Sequence, residues 1–161
     1  MPANDFFSYA PGAARDAGPS GVTPPPAGEA ERGILTELSD EEWEKFIGFA
    51  ARRRYPAGAS VVARGEAAVP LGFVASGAVS VRPERGPATR RGEGEAFGIL
   101  GFLDGRPSEV AIVADGATEV LLLGREALVQ LAAWQPRIAV ALLRDLGALV
   151  ATRLRRLQPA D

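Results

Sequence analysis

The chain of 161 residues contains no cysteine and no histidine. Without cysteine it has no disulfide, thiol nucleophile or thiolate metal site. Without histidine it lacks the commonest metal ligand and the commonest general base at neutral pH. Ser-His and Cys-His machinery is thus excluded within this chain, and any metal site would rest on carboxylates and carbonyls. No metal or cofactor is expected. Long apolar runs are also missing: no stretch approaches the ~18 residues of a membrane helix. The start, Met1 to Tyr9, lacks the basic segment and apolar core of a signal peptide. The expectation is a cytoplasmic protein with no membrane span. Lysine is nearly absent, Lys45 standing alone against seventeen arginines. Arginine binds phosphate well. Here, however, it is high together with Ala, Gly and Pro, as GC-rich coding gives. A net charge of −2 gives no general pull toward nucleic acid.

What remains is enough for one domain, with 47% hydrophobic residues to form its core. Residues 1–33 read as a flexible tail, because the Pro-, Gly- and Ala-rich run from Pro11 to Gly28 cannot pack. Within it Phe6, Phe7 and Tyr9 form an aromatic cluster of the kind that docks on a protein partner. Order is expected from Ile34. Ser39 and Glu42 have capping-box spacing, with Leu38 and Trp43 placed as a hydrophobic staple. Trp43, Phe46, Ile47 and Ala50 then fall on one helical face. From Arg52 to Leu123 the apolar runs shorten: 60–63, 71–75, 79–81, 110–113 and 119–123, each bounded by turn glycines. That spacing argues for an antiparallel sandwich or barrel. Helical periodicity returns at Arg125–Trp134, is broken by Pro136, and resumes to Leu157 with a broad apolar arc. Arg153 projects into that arc, as a long stem permits near a helix end. The domain is expected over 34–157, with 158–161 as a short end.

The order of these pieces resembles the cyclic-nucleotide-binding domain, the β-roll of catabolite activator protein and of protein kinase A regulatory subunits. The resemblance rests on Tyr55-Pro56-Ala57-Gly58 with its following apolar pair, Arg64-Gly65-Glu66, Ser76-Gly77-Ala78-Val79, Gly94-Glu95-Ala96-Phe97-Gly98 and Glu119-Val120-Leu121-Leu122-Leu123. It implies a mainly β fold, an antiparallel jelly roll with one N-terminal and two C-terminal helices. It also implies a ligand pocket around Gly98, Ile99, Leu100, Arg106, Ser108 and Glu109. In the family a glutamate after the Phe-Gly pair accepts from the ribose 2′-hydroxyl; here Ile99 stands there. The family's phosphate-pairing arginine corresponds to Ser108, and Glu109 brings a carboxylate close to where a phosphate oxygen would lie. Leaving the ribose hydroxyl unpaired costs about 1–3 kcal/mol, and losing a buried partner for the phosphate about 2–5 kcal/mol. If the two add, affinity falls by about two to six powers of ten. Arg106, two residues early, is the one candidate to rescue the phosphate.

The expectation is therefore a non-catalytic regulatory or adaptor protein in which Ile99 and Leu100 fill the old cavity. The alternative is a sensor that still takes a cyclic nucleotide or another small anion. Carboxylates such as Glu93, Glu95 and Glu109 lie on ordinary turn or strand positions, which reads as solvated charge rather than acid–base chemistry. Only four residues follow Leu157, so direct sequence-specific DNA reading is not expected. Protein partners are, including a homodimer through the last helix with Leu142, Leu146, Leu149, Val150 and Leu154 as its interface.

Overall fold

The computed structural model describes residues 34–158. The first helix, α1 (Asp40–Ile47), starts on the capping box: the Ser39 hydroxyl accepts from the Glu42 N–H at 3.2 Å, and the Glu42 carboxylate accepts from the Ser39 N–H at 3.4 Å. Eight strands follow: β1 (Ala51–Tyr55), β2 (Ser60–Val62), β3 (Leu71–Ser76), β4 (Val79–Pro83), β5 (Thr89–Arg91), β6 (Ala96–Phe97), β7 (Val110–Ala114) and β8 (Thr118–Leu123). A short helix, α2 (Ile99–Asp104), lies between β6 and β7, and α3 (Arg125–Trp134) and α4 (Pro136–Leu157) close the domain. Pro136 ends one helix and opens the next at its first turn, where its missing N–H costs nothing.

The strands form two antiparallel four-stranded sheets, ordered β1-β8-β3-β6 and β2-β7-β4-β5. Val62, Val74, Val79, Phe97, Ile112 and Val120 fill the space between them. On the other side of the first sheet, Leu71, Phe73, Leu121 and Leu123 meet the helices through Trp43, Phe46, Leu131, Leu142 and Leu146. Strands β3 and β8 are thus apolar on both faces, which is why their sequences read as unbroken runs rather than alternations. Trp43, Phe46 and Phe73 pack edge to face at ring separations of 5.3 and 5.6 Å, the arrangement aromatic quadrupoles favour.

Strand β1 lies outside the runs expected from apolar content, because Ala-Arg-Arg-Arg-Tyr reads as solvated charge. It forms by pairing along its length with β8. Arg52 and Arg54 both reach Glu119 on that strand, at 3.1 and 3.6 Å. At the sheet edge the arginines also oppose pairing with a foreign strand.

The C-terminal helix corrects one expectation. Leu142, Leu146 and Leu149 are not a partner surface. They are buried in the domain's own core against β3, β8 and α1, and Leu142 and Leu146 are 0% exposed. Val150 is half-buried. Only Leu154 of the five expected residues is exposed, on a different stripe of α4 together with Val140, Leu143 and Leu157.

Candidate functional site

The chain turns sharply where β6 hands over to α2. Gly98 takes φ +72°, and a Cβ there would sit 2.6 Å from the Pro70 carbonyl oxygen, so only glycine fits. On the neighbouring strand β3, the Phe97 ring occupies the space beside Gly72, where any side chain would collide with it. These two glycines fix the direction of α2 and the floor beside it.

A cavity of about 420 Å³ opens at this turn, within the usual range for small-molecule sites. Its walls combine Phe97 and Gly98, the first turn of α2, Val69, Val81 of β4, and the segment from Arg106 to Val110. All six expected pocket residues, Gly98, Ile99, Leu100, Arg106, Ser108 and Glu109, lie around this one cavity. A more open depression of about 460 Å³ lies on the far side of Ser108–Val110, against Arg64 and Glu84.

Two of the side chains behave differently from expectation. Ile99 turns away into the helix-side core, where it is 3% exposed. Leu100 does not fill the cavity: it is 59% exposed. Successive residues on a helix point about 100° apart. Once Ile99 and Phe102 face the core, Leu100 is directed outward, and a cavity remains.

Ser108 is buried and held. Its hydroxyl donates to the Val110 carbonyl at 2.7 Å and accepts from the Val110 N–H at 3.3 Å. Its backbone is tied to the β2–β3 turn through Glu66 O and Gly65 N. Glu109 is exposed at the rim. Arg106 is exposed too, and its N–H donates to Asp104 Oδ1 at 2.9 Å, which closes the turn after α2. Sequence reasoning did not place Arg91 of β5 or Arg153 of α4 at this cavity, but both line it. The helical position of Arg153 on the inward arc was the available signal. For Arg91 there was none, because β5 is a three-residue strand with no apolar pattern. Phe6, Phe7 and Tyr9 lie outside the described residues. Among those residues no helix is long and apolar enough to cross a membrane.

These residues thus build a β-roll closed by helices, with a small cavity at a glycine turn between its sheets and last helix. The chain belongs to the cyclic nucleotide-binding domain family, whose model matches residues 52–133, half of its length. It is similar to Glutaminase 2 of Bradyrhizobium diazoefficiens, with 31% identity over 125 residues, 77% of this chain. It spans only 20% of that protein's length. Among solved structures it resembles the catabolite activator protein of Thermus thermophilus, at 33% identity and a TM-score of 0.65, over 74% of this chain and 56% of that one. It also resembles a cyclic nucleotide-binding domain from Methylobacillus flagellatus, at 25% identity and a TM-score of 0.67, over 74% and 70% of the two chains.

Proposed function

We propose that this chain is a non-catalytic regulatory module that does not respond to cyclic nucleotides and acts through protein contacts. One observation carries the reading: the two positions that matter most for the family's ligand cannot meet it. Ile99 offers no acceptor to a ribose hydroxyl and faces the core. Ser108 has its hydroxyl committed to Val110, and Glu109 follows at the rim. Arg106 lines the cavity from an exposed turn held by Asp104, which is a poor substitute for a buried phosphate partner.

The protein contact best supported is with a second copy of this chain. Val140, Leu143, Gly147, Val150, Leu154 and Leu157 follow one another on α4 at alternating spacings of four and three, the period of a coiled-coil seam. Val140, Leu143, Leu154 and Leu157 are exposed. Nothing lies near the Cβ position of Gly147, which leaves room for a second helix to approach closely. A single self-complementary stripe is what a two-fold interface needs.

The test is restoration of the missing pair. Ile99→Glu combined with Ser108→Arg should tighten cyclic AMP binding, measured by calorimetry, by at least about a hundredfold over the unmodified protein. Circular dichroism must first establish that the double variant folds, since Ile99 is a core residue. A folded double variant with no gain would mean that these two positions are not what closed the pocket to nucleotides.

A further inference from the structure

We infer that the segment 34–38 is a releasable latch on the back of α4, and that its opening loosens the association of two copies through the front of that helix. The inference rests on the reading of α4 as a self-association surface and adds a control to it. Ile34, Leu35 and Leu38 are buried in the same core cluster as Leu142, Leu146 and Leu149 of α4. Leu35 is held at φ +60°, a left-handed conformation that a leucine leaves when nothing fixes it. What fixes it comes from α4: the Leu35 N–H donates to Asp145 Oδ2 at 2.8 Å. Among the described residues this is the hydrogen bond that leaves the segment. The Leu38 N–H closes the segment on itself, onto the Leu35 carbonyl at 3.4 Å.

Asp145 is the single carboxylate of α4, which carries five arginines. Helical positions advance by about 100° per residue, which sets Asp145 about 160–180° around the helix from Leu143, Gly147 and Leu154. The latch and the exposed apolar stripe therefore grip opposite sides of one helix. A strained residue held by one bond to a charged group gives the segment two states. Closed, it covers the buried stripe of α4 and fixes the direction of the helix. Open, Leu35 relaxes, Asp145 turns to water, and Leu142, Leu146 and Leu149 lose part of their cover. A seam between two copies needs that direction fixed, so it favours the closed state. Residues 1–33 enter the domain at this segment, and whatever engages them bears on the latch first.

The test is amide hydrogen exchange on the full chain. In dilute protein the amides of 34–38 should exchange at least about tenfold faster than the core amides of β3 and β8, through an opening that leaves the sheets intact. Ile112→Val thins the separate cluster between the sheets. It should speed exchange in β3 and β8 and leave 34–38 unchanged. Asp145→Ala should speed exchange at 34–38 by about tenfold, and Asp145→Asn by much less. Coupling between two equilibria is reciprocal, so concentrating the protein until copies pair should slow exchange at 34–38 by about tenfold. Leu154→Asp, on the exposed stripe, should abolish that slowing. If 34–38 exchanges no faster than β3 and β8, or follows them in Ile112→Val, the segment is ordinary core and the latch is overturned. Exchange independent of concentration in a protein that sediments as a dimer overturns the control of pairing. A monomeric unmodified protein contradicts the dimer reading and the control with it, while the Ile112 and Asp145 variants still decide whether the latch exists.

Discussion

At the scale of single residues, the domain depends on a few positions where the backbone has no alternative. Gly98→Ala would place a methyl group against the Pro70 carbonyl at a positive φ. The expected cost is about 1–3 kcal/mol, read as a lowered urea midpoint at unchanged slope. Leu35 is a less obvious case. It is a buried leucine with φ +60°, and its N–H donates to Asp145 Oδ2 at 2.8 Å. Asp145→Ala should destabilise the domain by about 1–3 kcal/mol, because the amide loses its acceptor. Asp145→Asn keeps an acceptor and should recover most of that loss. Equal losses in the two variants would mean that the contact contributes little. Gly98 was legible beforehand, because it stands inside a recognisable Gly-acid-x-Phe-Gly run. The Leu35–Asp145 bond was not, because it joins residues 110 positions apart and neither carries a local signal. The outward turn of Leu100 was equally hidden, since a helix of six residues is too short to establish its own face from sequence.

At the scale of elements, periodicity identified the last helix but not which of its faces does what. Two apolar stripes lie side by side on α4. One holds Ile138, Leu142, Leu146 and Leu149 and faces the core; the other holds Val140, Leu143, Leu154 and Leu157 and faces outward. A hydrophobic arc read at 100° per residue merges them, and only the packing of β3 and β8 beneath separates the two. Strand β1 shows the opposite failure, a strand held by its ladder and by Glu119 with almost no apolar content. The two stripes make a paired prediction. Leu154→Asp should leave circular dichroism and thermal midpoint nearly unchanged while shifting sedimentation from dimer to monomer. Leu146→Asp should instead unfold the domain, since even truncation of a buried leucine costs about 2–5 kcal/mol. A monomeric unmodified protein at high micromolar concentration would remove the dimer from the account.

At the scale of the whole molecule, the fold was readable because its signals are spread over most of the chain and agree in order. The positions on which the proposed loss of nucleotide binding rests, Ile99 and Ser108, were readable only because the resemblance named them. Arg91 and Arg153 line the cavity although no motif marks either. The aromatic cluster Phe6, Phe7 and Tyr9 is separated from Ile34 by some two dozen residues rich in Pro and Gly. We propose that it docks on a protein partner, helped by the raised effective concentration that tethering gives. Deleting residues 2–10 should leave thermal stability unchanged and weaken partner association several-fold. Intact recruitment after deletion, or a destabilised domain, would reject the docking role.

The most direct measurement of the central claim is a calorimetric titration of the unmodified full chain with cyclic AMP and with cyclic GMP. The account predicts no saturable heat up to about 100 μM of either nucleotide, because Ile99 offers no acceptor and Ser108 no charge. A dissociation constant at or below about 1 μM for either one would contradict it.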